Sequence, residues 1–141
     1  MRMIETRRMI AAEPAAIWAV LTDPARIVAG GLGVLRLDGT IAAGQKIRLE
    51  SAVAPGRIFT LTLTIAEASA PQKMVWTSGA PLIFNGRRTF NLTAKPGGTE
   101  FHMAEVYKGL MLPLIWRSMP DMQPGFELFA DGLKRVVEGG K

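Results

Sequence analysis

Four residues of this sequence have side chains that could do chemistry together: His102, Glu105 and Tyr107 lie close in one run, and Arg88 lies in the run before it. A hydrolase or cyclase needs a general acid or base, usually a histidine or a buried carboxylate. His102 is the one histidine of the chain. If residues 99–108 form a strand, alternation places Phe101, Met103, Glu105 and Tyr107 on one face and His102 with Ala104 on the other. With the apolar face turned to an interior space, His102 points away from it and reads as a surface or packing histidine. Glu105 points inward, where a carboxylate needs a partner or becomes neutral. Arg88 shares a face with Phe90 and Leu92 on the neighbouring run and can be that partner. The pair reads as a structural ion pair near a pocket mouth or as a pair that orients a ligand. Tyr107 either donates to a ligand carbonyl or caps the sheet. No catalytic residue is assigned. One histidine and no cysteine leave a zinc site without ligands. The glycine stretches GGLGV and PGG lack the spacing of nucleotide-binding loops, so no cofactor is assigned either.

Around these polar groups the sequence supplies apolar material for a cleft. Trp18, Trp76, Phe84, Phe90, Phe126 and Phe129 are the aromatic candidates, although aromatics at such spacings are more often plain core than ligand contacts. Eight methionines would give an adaptable lining. The candidate ligand contacts are therefore Trp18, Trp76, Arg88, Phe90, Glu105, Tyr107, Phe126, Phe129 and Leu133.

These residues must be positioned by a sheet and a helix. In the stretch 125–139, Phe126, Phe129, Ala130, Leu133, Val136 and Val137 recur at helical spacing, with Glu127, Asp131, Arg135 and Glu138 opposite. Asp131 and Arg135 are spaced for an i,i+4 pair, Pro124 suits a first turn, and Gly139-Gly140 is a natural stop. Near the start, residues 2–11 read as a strand and 14–22 as a short amphipathic helix. Asp23-Pro24 breaks that helix, and 25–29 form a further turn; neither helical segment shows a good Ser, Thr or Asn N-cap. From Leu32 to Lys108 the signals are strands and turns. Strands fall at 34–38, 46–50, 58–66, 73–78, 85–94 and 99–108, with turns at Pro55-Gly56, Gly79-Ala80-Pro81 and Lys95-Pro96-Gly97-Gly98. Phe59, Leu61, Leu63 and Ile65 alternate with threonines, the pattern of a half-buried antiparallel strand. The apolar run Leu110–Trp116, between Lys108 and Arg117, is interrupted by Pro113. It reads as a broken helix or packed loop: a buried connection, a lid, or a surface touching membrane or a partner. One strand, a helical hairpin, about six consecutive strands and a long helix make an α+β meander with its helices on one side.

The 141 residues fit one domain, 1–141, and 48% hydrophobic with 21% charged is a globular composition. The net charge of +5 invites a nucleic-acid or anionic-membrane reading, but the basic residues are scattered singly or in pairs, which argues against nucleic acid. No run is long enough for a transmembrane segment, and MRMIETRRM has no signal-peptide core. The absence of cysteine fits a cytoplasmic protein.

The pieces resemble the START-like polyketide cyclase and lipid-transport superfamily (SRPBCC), nearest its bacterial single-domain proteins of the carbon-monoxide-dehydrogenase-subunit-G and polyketide-cyclase type. The resemblance is carried by Ile10-Ala11-Ala12, Ile17-Trp18 and Leu21-Thr22-Asp23-Pro24. Further along come Gly86, Phe90, Leu92, Gly98-Thr99, Phe101, Glu105, Gly109, Pro113, Gly125-Phe126, Leu133-Lys134 and Glu138. It implies the helix-grip fold: a seven-stranded antiparallel sheet wrapped around a long C-terminal helix, with two short helices between strands 1 and 2 and a cavity between sheet and helix. The chain departs from the family in carrying Phe129-Ala130-Asp131 where a Met-Asn pair is common. The favoured reading is a non-catalytic binding protein for a hydrophobic or amphipathic lipid-, polyketide- or aromatic-type small molecule. The alternatives are a cyclase-, aromatase- or hydrolase-like enzyme using the same cavity, and an interaction or assembly factor that forms a homodimer or touches a membrane peripherally.

Overall fold

The computed structural model describes residues 1–139. Strand β1 (Arg2–Ile10) is followed by helices α1 (Pro14–Leu21) and α2 (Pro24–Ala29). Strands β2 (Val34–Asp38), β3 (Lys46–Ala54), β4 (Arg57–Ser69), β5 (Lys73–Ala80), β6 (Phe84–Lys95) and β7 (Gly98–Lys108) come next, then α3 (Leu112–Ser118) and α4 (Gln123–Gly139). All seven strands form one antiparallel sheet in the order β1-β7-β6-β5-β4-β3-β2. This is the curled α+β helix-grip arrangement. Register shifts in β2, β3 and β4, each an extra residue on one strand, supply part of the curl.

Several elements differ from the sequence reading, for local reasons. Pro81 lies in the turn, and the strand before it runs through Gly79 and Ala80 because Gly79 takes φ +84 against Phe84. The run after β7 is a helix, α3, with Pro113 in its first turn, where a missing N–H costs nothing. Asp23 is the N-cap of α2 as well as the break after α1: its carboxylate accepts from the N–H groups of Ala25 and Arg26. Gly140, the second glycine of the expected stop, lies outside the described residues.

Helix α4 crosses the concave face. Phe126, Phe129, Ala130, Leu133 and Val137 are buried there against Ile10, Ile65, Trp76, Phe90, Phe101 and their neighbours. Two glycines allow the close crossing. A Cβ on Gly125 would lie 2.5 Å from the Val53 carbonyl oxygen, and one on Gly132 would lie 2.8 Å from that of Gly31. They are seven residues apart, two turns, and so share a face.

The polar side of α4 is not a free solvent face. It lies along β1. Arg8, on the inner face of that strand, bonds Glu127 at 2.9 Å and Asp131 at 2.8 Å, so Asp131 pairs with Arg8 rather than with Arg135. Arg135 instead donates to the Gly30 carbonyl at 3.3 Å. The i,i+4 pair on this helix is Lys134–Glu138, 3.1 Å. Gln123 donates to the Glu5 carbonyl, Lys134 to the Met9 carbonyl, and the Ala11 N–H donates to Glu138. The Arg8 guanidinium also donates to the Arg7 carbonyl. The Thr6 hydroxyl, donating to Glu127, is the main reason that carboxylate titrates below its ordinary range, with Gln123 and Arg8 adding to the shift.

Candidate functional site

Between the concave sheet, α3 and the first turns of α4 lies a pocket of about 390 Å³, within the range of small-molecule sites. Its walls are mainly apolar. Leu49, Leu61 and Leu63 come from β3 and β4, where strict alternation turns every second side chain inward. Phe126 and Phe129 come from the helix. Met119 and Met122, in the connection from α3 to α4, complete the side next to Tyr107.

One wall carries a compact polar group. Arg88 of β6 lies directly opposite Glu105 of β7 and directly opposite Trp76 of β5, so three adjacent strands present these side chains side by side. Arg88 Nε donates to Glu105 Oε1 at 2.7 Å, and the guanidinium stacks on the Phe126 ring, 4.6 Å from its centroid. The two side chains are 23% and 10% exposed, so the pair sits at the wall of the pocket, mostly out of water. Gly86 makes the room: a Cβ there would lie 2.5 Å from Glu105 Oε2. Tyr107 follows on the same face. Among the described residues its hydroxyl points to the Met122 sulfur, at 3.9 Å, a weak acceptor, and lies beside the Glu105 carboxylate, which adds a weak side-chain bond. Burial, and next the Glu105 carboxylate, push the phenol's pKa up against the opposing effect of Arg88. The group therefore stays a protonated donor. Trp76 Nε1 is buried and has no hydrogen-bond partner among the described residues.

Of the candidates named from sequence, Trp76, Arg88, Glu105, Tyr107, Phe126 and Phe129 meet in this pocket. Trp18, Phe90 and Leu133 do not line it. Phe90 forms the layer beneath, its ring centroid 4.8 Å from that of Trp76 and 5.9 Å from that of Phe129. Leu133 is fully buried in the same core, one turn beyond Phe129. Trp18 is half-buried on α1 and packs at the margin of the main core. His102 lies on the other face of β7, with Nε2 2.8 Å from Glu5 Oε1. Residues that the sequence reading did not single out include Ser51 and Ser78 on the sheet wall and Met119 after α3, whereas Ile115 lies in the run Leu110–Trp116, for which a lid was one of the readings. The serines could have been found by extending alternation along β3 and β5. Met119, beyond the end of α3, had no such signal. Among the described residues no three His, Cys, Asp or Glu side chains are grouped to hold a metal ion, and no helix is long and apolar enough to cross a membrane.

Comparison with known proteins gives a consistent placement. The family model described as Activator of Hsp90 ATPase homolog 1-like protein matches residues 11–138. No curated protein matches the chain. Solved structures do. A Mesorhizobium loti protein is similar at 18% identity with a TM-score of 0.76, over 99% of both chains. A Thermus thermophilus protein is similar at 17% identity with a TM-score of 0.77, again over 99% of both chains. A Rhodobacter sphaeroides protein is 24% identical with a TM-score of 0.76, over 99% of this chain and 93% of that one. At these identities the likeness is one of fold.

Proposed function

The chain belongs to the Activator of Hsp90 ATPase homolog 1-like family, within the START-like superfamily, and on that premise we propose that residues 1–141 act as one domain that binds a small amphipathic molecule in the pocket. The fold commonly binds hydrophobic ligands. The observation that carries the reading for this chain is the composition of the pocket: apolar walls on the sheet and helix, with the polar group Trp76, Arg88, Glu105 and Tyr107 on one side. Burial of apolar ligand surface, at about 25 cal/mol per Å², drives uptake. The polar group sets orientation. Its donors outnumber its acceptors: Arg88 engages Glu105 through Nε and carries further N–H groups, the Tyr107 O–H has a sulfur and the already engaged Glu105 beside it, and Glu105 is held by Arg88. The ligand that fits has an apolar body and a hydrogen-bond-accepting group, such as a ketone, ester or quinone oxygen. Binding without chemistry is the favoured reading, because the one inward carboxylate is held by a guanidinium at 2.7 Å and no histidine reaches the pocket.

The test is native mass spectrometry of the protein purified from its own host, with organic extraction of bound material. A co-purifying apolar molecule carrying an acceptor oxygen, depleted in the Arg88→Met and Phe129→Ala variants, supports the reading. A clean apo mass, with no thermal shift from a panel of lipids, polyketides and aromatic ketones, counts against it.

A further inference from the structure

We propose that the end of the sheet beside α3 docks on an anionic lipid surface. The strand registers bring five pieces of chain to one end of the sheet: the start of β1, the β3–β4 turn, the β5–β6 turn, the end of β7 and α3. Phe84, Arg57 and Met119 at this end also line the pocket. The side chains presented outward here are aliphatic. Leu82 and Leu110 are 80% and 85% exposed, and Ile58, Ile83 and Leu114 are each more than half exposed.

These residues sit on a built ledge rather than on loose loops. The Leu110 N–H donates to the Leu82 carbonyl at 2.8 Å and the Met111 N–H to the Ile83 carbonyl at 2.9 Å, which ties the two loops together. Gly109 permits that approach: at φ +132, a Cβ there would lie 2.1 Å from the Ile83 carbonyl oxygen. At the tip, Leu82 holds a left-handed φ of +71, a conformation for which water-facing turns favour Gly, Asn or Asp. Beneath the ledge, Leu112 is buried and Trp116 packs on Tyr107 at 5.1 Å, so α3 is anchored while Leu110 and Leu114 project.

The charges select the partner. Arg2, Arg57, Lys108 and Arg117 are exposed around the ledge, and among the described residues none of them forms an ion pair. Within residues 1–4, 53–59, 79–87 and 106–122 the only carboxylate is Asp121, which accepts from the Gln123 N–H at the start of α4. Arg2 lies over the Trp116 ring and Arg57 over that of Phe59, at 5.7 and 5.9 Å, so these two are held in place without being neutralised. Projecting aliphatic side chains ringed by cations without carboxylate partners match the acyl boundary and the headgroups of an anionic bilayer. A protein interface core would be enriched in aromatics and its surroundings would mix both signs of charge. Docking in this orientation turns the Arg57, Phe84 and Met119 side of the pocket to the lipid.

The chain has no cysteine, so one introduced thiol reports one site. The Leu82→Cys and Thr93→Cys variants, each carrying an environment-sensitive dye, are mixed with vesicles of phosphatidylcholine alone or with added phosphatidylglycerol, at low and high salt. Thr93 is exposed near the opposite end of β6. The expected result is a blue shift at position 82 and none at 93, with anionic vesicles only, weakened by salt. In co-sedimentation, Lys108→Ser/Arg117→Ser should lower partitioning by about fivefold per charge. Leu82→Ser/Leu110→Ser should lower it by about a hundredfold, since both leucyl side chains leave the acyl boundary. Circular dichroism on each variant checks folding, and the dye measurement stands if a serine variant fails to fold. No shift with anionic vesicles at low salt overturns the proposal. So does full binding by a folded leucine variant, which would mean charge adsorption alone, or a wild-type dimer dissolved by the leucine substitutions, which would mean that a second copy covers the ledge. The assay uses no pocket ligand, so a protein that takes up a ligand yet ignores vesicles loses only this inference.

Discussion

Replacing Arg88 by Met tests whether the pocket wall rests on the ion pair. The pair is intermediate in burial, with 23% of the Arg88 side chain and 10% of the Glu105 side chain exposed. Fully exposed pairs contribute about 0–1 kcal/mol. Removing one partner of a fully buried pair costs about 3–5 kcal/mol, because a charge is left behind without compensation. Arg88→Met should therefore cost about 2–3 kcal/mol, with about 0.5–1 kcal/mol of that from the lost stacking on Phe126. Met keeps most of the apolar stem contact, so little of the loss is packing. Glu105→Gln leaves an oxygen that still accepts from Arg88 Nε, and should cost about 1 kcal/mol. In the double variant no unpaired charge remains, so its loss should fall short of the sum by about 1–2 kcal/mol. Urea unfolding at neutral pH, followed by tryptophan fluorescence, measures all four corners of the cycle. Additivity within about 0.3 kcal/mol would refute the coupling, and with it the view that Glu105 depends on Arg88.

Three further outcomes follow from the geometry. The folded-state pKa of Glu127 lies below its unfolded value, so its contribution is present above the ordinary carboxylate range and is lost as pH falls through the folded value. Thermal melts should show Tm falling on acidification below about pH 5, and less steeply in Glu127→Gln. Gly132→Ala should cost about 2 kcal/mol in urea melts despite the better helix propensity of alanine, because the new methyl meets the backbone of Gly31 and Leu32 rather than a movable side chain. Trp76→Phe removes an N–H without a partner and keeps most of the ring packing on Phe90, so it should cost under about 1.5 kcal/mol, whereas Trp76→Ala should cost about 3–5 kcal/mol.

The sequence made the fold legible because its signals are local. Alternation in residues 58–66, glycines and prolines at the turns, and the apolar stripe of the last helix each record a nearby backbone state. Alternation also placed Arg88 and Glu105 on inward faces, and the antiparallel register then sets them opposite each other. What alternation could not give was depth. Phe90 faces inward as Arg88 does, yet it lies beneath Trp76 and Phe129, and the curl of the sheet decides which inward side chain meets the pocket and which meets the core. Partners across the fold were likewise hidden. Asp131 and Arg135 have ideal helical spacing, but Arg8, more than a hundred residues away, takes the aspartate. Gly125 and Gly132 inside a helix were the readable sign of a close crossing, since each costs about 1 kcal/mol of helix propensity that only a contact explains.

The bonds between α4 and β1 also bear on how the chain meets copies of itself. β1 is the outermost strand on its side, and such a strand offers a row of backbone donors and acceptors to any incoming strand. Here the carbonyls of Glu5, Arg7 and Met9 and the N–H of Ala11, all at alternate positions, are taken by Gln123, Arg8, Lys134 and Glu138. A strand adding along the length of this margin would displace these bonds. The opposite margin, β2, is five residues long and carries a bulge, which makes a poor template. Three side chains of the last helix, with Arg8 of the strand itself, thus obstruct at the first strand the strand-by-strand growth that leads to swapped oligomers and fibrils.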